Sequence, residues 1–246
     1  MTSETTQTDP VTASTEKLRK LLVPVRYVLW DLDGPICRLF AGHPAHEVAS
    51  SLVELIDRLG LGGLLTETER THPDPQAVLL GLNRRRPDSD LIADLEEWLT
   101  RQELKAVGGA YPTAYSDPLI RTWLARTDGF AITTNNSARA AAAYIETRGL
   151  TSCFSAIYGR TKNLDLMKPD PHCLSQALKA LGAKEANTLM LGDAPTDFEA
   201  ATELGVPFLG YARNQRKADA LLGAGVDPSH IVRSLQEVLV ALKGLR

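Results

Sequence analysis

The sequence predicts a doubly wound parallel α/β sheet with a helical domain inserted after its first strand. Three observations carry that prediction. From Pro112 onward, short apolar runs alternate with amphipathic segments of helical period, the rhythm of successive βαβ units. One strand-like run, residues 27–30, stands apart from that series, divided from it by a long stretch with helical periodicity alone. Carboxylates, glycines and small polar residues gather where the apolar runs end, and that is where open α/β sheets bind ligands.

Taken in order, residues 1–22 read as a disordered or loosely helical N-terminal tail. Met1 to Thr15 is rich in Thr and Ser and has no apolar segment of the kind a secretory signal needs. A short helix suits residues 16–22, and Pro24 stops it. Residues 23–39 and 116–246 are assigned to an α/β core domain, and residues 40–115 to the inserted helical domain. Within the insertion, Val48, Leu52, Leu55, Ile56 and Leu59 fall on one helical face, and Gly60 ends the run. Asp74 and Pro75 open a second helix through Ala77, Leu80 and Leu82 to Arg84-Arg85-Arg86. Pro87 breaks it, Asp88 or Ser89 can cap a third, and Leu91, Leu95, Trp98 and Leu99 make that helix's stripe. In the core, strands are expected at 130–133, 156–158, 188–191 and 206–209. Helices are expected at 117–126, 137–148, 171–181, 196–204, 217–222 and 235–242.

Composition narrows the function classes. A chain of 246 residues with 43% hydrophobic and 23% charged residues is an ordinary globular protein. A net charge of −3 leaves no electrostatic footprint for nucleic acid or an anionic membrane surface. No apolar run approaches the roughly 20 residues that span a bilayer. Cys37, Cys153 and Cys173 are odd in number and lack Cys-x-x-Cys spacing, which argues for a reducing compartment and against a disulfide framework or zinc site. The expected setting is cytoplasmic, as a monomer or homodimer, with no nucleic-acid or membrane partner.

The chemistry sits at the strand tips. The first strand ends in Asp31-Leu32-Asp33-Gly34 and the second in Thr133-Thr134-Asn135-Asn136. Lys168-Pro169-Asp170-Pro171 opens the helix after the third, and the fourth ends in Gly192-Asp193-Ala194-Pro195-Thr196-Asp197. Strand tips of a parallel sheet converge, so these segments meet at one edge. That edge would hold four carboxylates, an ammonium group and a hydroxyl. Two acids flanking one residue need an offsetting charge, and a hard cation such as Mg²⁺ suits oxygen ligands and phosphates. A carboxylate nucleophile that forms an aspartyl-phosphate is an established route for phosphoryl transfer. Each segment alone has an ordinary explanation as a turn, a helix cap or a solvated loop. Their conjunction, in this order and each at a strand end or in the loop behind it, does not.

These four segments resemble the motifs of the haloacid dehalogenase superfamily, in its phosphatase branch, and the similarity runs over roughly residues 25–242. The resemblance implies a Rossmann-like core with a small helical cap over the site. It implies a Mg²⁺-dependent phosphatase that hydrolyses a phosphate monoester of a small phosphorylated metabolite through an aspartyl-phosphate. By that resemblance Asp31 is the nucleophile and Asp33 the general acid and base. Thr134, Asn135 and Lys168 bind the phosphoryl group, Lys168 also neutralising the nucleophile. Asp31, Asp193 and Asp33, the last through its backbone carbonyl, hold the metal, and Asp197 supports Lys168 or a metal-bound water. The chain departs from the family pattern at Pro35-Ile36-Cys37-Arg38, in the turn leading to the cap, which bears on substrate range.

Other readings within the superfamily separate on single residues. A haloacid dehalogenase proper lacks the second acid, and Asp33 is present. A phosphonate hydrolase needs a cap lysine, and no lysine lies between Lys20 and Lys105. A phosphosugar mutase shares every core residue and stays open, as does a catalytically silent phospho-ligand-binding protein. Outside the motifs, Arg84-Arg85-Arg86 reads as a solvated helix end that could meet an anionic substrate. His43 and His46 read as surface residues near the cap, His172 as part of a first helical turn, Cys37 as packing and Trp98 as cap core.

Overall fold

The computed structural model describes residues 10–87 and 89–245. Expectations for residues 1–9, and for Asp88 as a cap, fall outside them. Along the chain run α1 (Pro10–Leu22), β1 (Tyr27–Trp30), β2 (Cys37–Arg38), α2 (Ala45–Arg58), α3 (Glu67–Arg70), α4 (Pro75–Asn83) and α5 (Asp90–Val107). There follow β3 (Tyr111–Pro112), α6 (Ser116–Leu124), β4 (Gly129–Ser137), α7 (Ala138–Thr147), β5 (Ala156–Arg160) and α8 (His172–Leu181). The chain closes with β6 (Thr188–Gly192), α9 (Pro195–Glu203), β7 (Phe208–Tyr211), α10 (Gln215–Gly223), β8 (Ile231–Val232) and α11 (Leu235–Lys243).

Six strands form one parallel sheet in the order β5-β4-β1-β6-β7-β8. Successive residues of a strand face opposite sides, so β1 splits its apolar run between two cores. Val28 and Trp30 join residues of α1, α6, α7 and α11, whereas Leu29 joins α8, α9 and α10 on the other face. Trp30 is buried among aromatic neighbours, edge-to-face with Trp123 at 5.8 Å and with Phe130 at 5.7 Å between centroids. The result is the expected three-layer α/β core, with β1 at its centre.

The insertion after β1 is helical, as its periodicity requires, and has an apolar core of its own. Val48, Leu52 and Ile56 of α2 meet Val78, Leu79 and Leu82 of α4 and Ile92, Leu95 and Leu99 of α5. Two residues from the α/β part, Leu164 and Met167, complete that cluster. The helix faces differ in detail from the expected stripes. Leu59 is exposed, because Gly60 with φ +73° ends α2 just beyond it. Ile92, Leu95, Leu99 and Ala106 form the buried line of α5, and Leu91 and Trp98, one residue or about 100° round the helix, pack at its margin. Ala77 and Leu80 of α4 line a cavity at the sheet edge, Leu80 while also packing at the margin of this core.

Two further departures come from short or locally supported elements. β2 and β3 pair antiparallel where the chain enters and leaves the helical lobe, each with two residues, too short for any periodic signal. At that crossing Gly42 and Gly109 touch backbone to backbone; a Cβ on Gly42 would stand 2.8 Å from the carbonyl oxygen of Gly109. β4 runs on through Thr134, Asn135 and Asn136 to Ser137, past its expected end. The two asparagines disfavour strand, and side chains from α5 and β5 hold this end of β4 in place.

The two faces of β1 and α2 make a direct stability comparison. Leu29→Ala should lower unfolding free energy by about 2.7–5 kcal/mol, since Leu29 is wholly buried between sheet and helices. Leu59→Ala should change it by no more than about 0.5 kcal/mol. Urea unfolding of both variants, read at unchanged m-value, checks the pair.

Candidate active site

Sheet register assembles the site. Trp30, the last residue of β1, pairs with Ile132 of β4 on one side and Leu191 of β6 on the other. The residues that follow, Asp31, Thr133-Thr134 and Gly192-Asp193, therefore emerge side by side at the carboxyl edge. The Asp31 N–H still donates to the carbonyl of Leu191 at 2.9 Å, which pins the backbone of Asp31 against the neighbouring strand. Gly34 then turns the chain at φ +137°, where a Cβ would stand 2.4 Å from Cγ of Asp193. Only glycine lets the turn pass this close to the next carboxylate.

Lys168 is the hub of this edge. Its Nζ donates to Oδ1 of Asp31 at 2.9 Å, to Oδ1 of Asp197 at 2.5 Å and to the carbonyl of Thr133 at 2.8 Å. Burial draws the ammonium toward deprotonation, but Asp197 and Asp31 outweigh it and hold the pKa above the usual lysine range. Burial likewise pushes Asp31 up; Lys168 opposes that shift, and Asp197 and Asp193 add to it. The other oxygen of Asp197 accepts from the backbone N–H groups of Asp193 and Ala194, at 3.0 and 3.1 Å, so both oxygens of this carboxylate are held by the protein.

Asp33 and Asp193 occupy different surroundings. Oδ1 of Asp33 accepts from the Leu39 N–H at 2.9 Å. Desolvation pushes Asp33 up to about 6 against that hydrogen bond. Desolvation pushes Asp193 up to about 6 as well, opposed by Lys217 of α10, whose Nζ lies 2.9 Å from Oδ2. Asp31, Asp193 and Asp197 offer carboxylate oxygens that all lie within 4.8 Å of one another. A tight set of hard oxygen donors fits a divalent cation such as Mg²⁺. With Lys168 and two amides already on Asp197, Asp31 and Asp193 are the members of the set with more acceptor capacity to spare.

Thr134 is buried beside them. Its Oγ1 accepts the Asn136 N–H at 3.2 Å and lies 3.3 Å from Oδ1 of Asn136, to which its hydroxyl donates. The side chain of Asn135 clamps the main chain of Lys168. Its Oδ1 accepts the Lys168 N–H at 2.8 Å and its Nδ2 donates to the Lys168 carbonyl at 2.9 Å. Asn135 lines the cavity and also acts on the site through the lysine, one N–H of its Nδ2 remaining outside that clamp.

These groups open into a cavity of about 460 Å³ between the sheet edge and the helical lobe. Asp31, Asp33, Thr134, Lys168 and Asp193 form its floor, and Ala77, Leu80 and Arg84 of the lobe face them. Arg84 is exposed there and has no side-chain hydrogen bond or ion pair among the described residues, whereas neighbouring Arg85 is tied to Glu69 at 2.9 Å. His43 hydrogen-bonds Gln102, His46 is exposed, and neither lines the cavity. Cys37 is fully buried with its thiol pKa pushed well up by burial, which rules out an activated thiolate. The departing segment Pro35 to Arg38 packs inward except at Arg38, which stacks over Tyr111 at 5.5 Å. Lys217 and the buried Glu103–Arg160 pair beneath Thr134 went unremarked in the sequence. Glu96, Thr100 and Glu103 do recur at i, i+4 and i+7, which marks a polar stripe facing something buried.

Among the described residues no helix is long and apolar enough to cross a membrane. Comparison with known proteins agrees with the geometry. The family model of haloacid dehalogenase-like hydrolases matches residues 123–211. A phosphoglycolate phosphatase from Rhodospirillum rubrum is 33% identical over 197 residues, spanning 76% of this chain and 80% of that protein. One from Rhodobacter capsulatus is 29% identical over 202 residues, 79% of this chain and 88% of its own length. A haloacid dehalogenase-like hydrolase from Streptococcus pneumoniae superposes with a TM-score of 0.62 at 19% identity, covering 88% of this chain and 98% of its own, and shows the shared fold. The chain belongs to the haloacid dehalogenase-like hydrolases, in their phosphatase branch.

Proposed function

We propose that this protein is a Mg²⁺-dependent phosphatase that hydrolyses a small phosphate monoester through an aspartyl-phosphate on Asp31. The observation that supports this reading is the convergence of Asp31, Thr134, Lys168 and Asp193 on the floor of one cavity, with Asp33 beside them. A carboxylate oxygen of Asp31 attacks phosphorus while the bond to the leaving oxygen breaks. Asp33, its pKa raised toward neutrality, gives that oxygen its proton. The Asp33 carboxylate then takes a proton from water as the water oxygen attacks phosphorus. The bond to Asp31 breaks, releasing phosphate and restoring both side chains. Lys168 offsets negative charge on Asp31 and on the phosphoryl oxygens. The Thr134 hydroxyl, whose one proton points to Oδ1 of Asn136 in the structure, turns to donate to one of those oxygens. Asp31, Asp193 and the backbone carbonyl of Asp33 would hold Mg²⁺, which supplies further charge neutralisation when bound.

The helical lobe, residues 40–115 in this reading, serves as the cap that shapes the substrate end of the cavity. Its unpartnered Arg84 suits an ester with a second anionic group. Phosphoglycolate, the substrate named for the two relatives, is therefore the first ester to test. A phosphosugar mutase would use the same floor, but would interconvert phosphosugars given a bisphosphate activator rather than release phosphate. A silent binding protein would release phosphate from no ester.

Phosphate release from phosphoglycolate, sugar phosphates and nucleotides, with Mg²⁺ or with chelator, tests the reading. Chelation and Asp31→Asn should each abolish release; full activity under either condition overturns the mechanism. Asp33→Asn should lower kcat about 10²–10⁴-fold, measured at saturating ester. Arg84→Ala should raise KM for phosphoglycolate while leaving kcat for an uncharged phosphate ester near the parent value, as expected for a group that binds the far end of an acid.

A further inference from the structure

Glu103 and Arg160 form an ion pair with both side chains at zero exposure, beneath the cavity floor rather than in it. Every polar atom of the pair is spent. Oε1 of Glu103 accepts from Arg160 Nη1 at 2.8 Å and Asn136 Nδ2 at 3.0 Å. Its Oε2 accepts from the Ser137 N–H at 2.9 Å and Arg160 Nη2 at 3.1 Å. Arg160 also donates to the Asn135 carbonyl at 3.1 Å, to Thr100 at 3.2 Å and, through Nε, to Glu96 at 3.1 Å. A buried ion pair of this kind seldom stabilises a fold more than apolar side chains of similar volume would. Stability therefore gives no reason for its presence, but directed hydrogen bonding does.

We propose that the Glu103–Arg160 pair is a positioning device that holds the Thr134–Asn136 end of β4 and, through Asn135, Lys168 in place against Asp31. Glu103 is acceptor-only, so the Asn136 amide must turn its Nδ2 toward Glu103 and its Oδ1 toward Thr134. That orientation fixes the environment of the Thr134 hydroxyl. Arg160 holds the carbonyl of Asn135, whose side chain grips both the N–H and the carbonyl of Lys168, whose Nζ meets Asp31. Glu103 belongs to α5, so the same contacts fasten these groups to the helical lobe. A second attachment acts on the lysine loop directly: Leu164 and Met167 sit in the lobe's apolar core, and Asn83 of α4 donates to Asp165 at 2.9 Å.

The kinetic consequence rests on the phosphatase reading; the positional one does not, and the test separates them. Glu103→Met/Arg160→Met replaces the pair by apolar side chains, and hydrogen exchange is followed with thermal unfolding and kinetics. The expected result is a folded protein whose amides at 134–137 and at Lys168 exchange about tenfold faster or more, with the rest of the sheet unchanged. With the same ester, kcat should fall about 10²-fold and KM much less, as for a displaced reacting group. Combining the change with Thr134→Ala should give less than the product of the two losses, since both act through one hydroxyl. Unchanged protection at 134–137 and Lys168, or kcat within about twofold of the parent, overturns the proposal. Glu103→Gln, read the same way, takes the place of the double variant should that variant not fold. If the parent protein hydrolyses no ester, the functional reading fails by itself and the exchange data still decide this one.

Discussion

A single buried ammonium between two carboxylates is the contact on which most of this structure depends. Asp31 leaves β1, Asp197 begins the helix after β6, and Lys168 arrives from a loop remote from both in sequence. Charges removed from water are tolerable only when paired and hydrogen-bonded, so each of these groups constrains the next. Asp197 can serve Lys168 with one oxygen because its other oxygen receives two backbone amides at the start of α9. Lys168 can reach inward because Asn135 holds its main chain. Asp31 can sit at the crowded edge because Gly34 lets the following turn pass close to Asp193.

From that contact the polar order spreads in one direction, toward β5 and the lobe. Asn135, Asn136 and Ser137 extend β4 beyond its apolar part, held by Glu103 and Arg160 rather than by their own preference for strand. The helical lobe is thus more than an appendage. It has its own apolar core, yet takes Leu164 and Met167 from the loop just before the lysine and lends Glu103 to the strand that carries Thr134. Cavity walls and floor are parts of one packed arrangement, with Arg84, Ala77 and Leu80 opposite the carboxylates.

Much of this was legible in the residues. The unbroken apolar run Val28-Leu29-Trp30 marked a strand buried on both faces, and the two faces do serve different helices. Asp31, Asp33, Thr134 and Asp193 sit at the ends of apolar runs and Lys168 in the loop behind the third strand, which is why their meeting at one edge is expected from the sequence. Less was legible where periodicity has nothing to work on. The two-residue strands β2 and β3 depend on a crossing of distant backbones, and the face of α5 on which helix buries which residue. Asn135 reads as a phosphate contact from its place in the motif and does line the cavity, but its clamp on the main chain of Lys168, 33 residues away, has no local signal.

The amino-acid sequence alone determined the parallel sheet, the inserted helices and the set of acids, hydroxyl and lysine at the strand tips. Those follow from local period and from the rule that parallel strands end together. Tertiary structure alone decided how the charges are shared. Which oxygen of Asp197 is spent, that Lys217 rests on Asp193, and that a wholly buried Glu103–Arg160 pair underlies Thr134 all depend on distances between groups far apart in the chain. Hydrogen bonds and ion pairs act over a few ångströms of space, and separation along the sequence carries no measure of that.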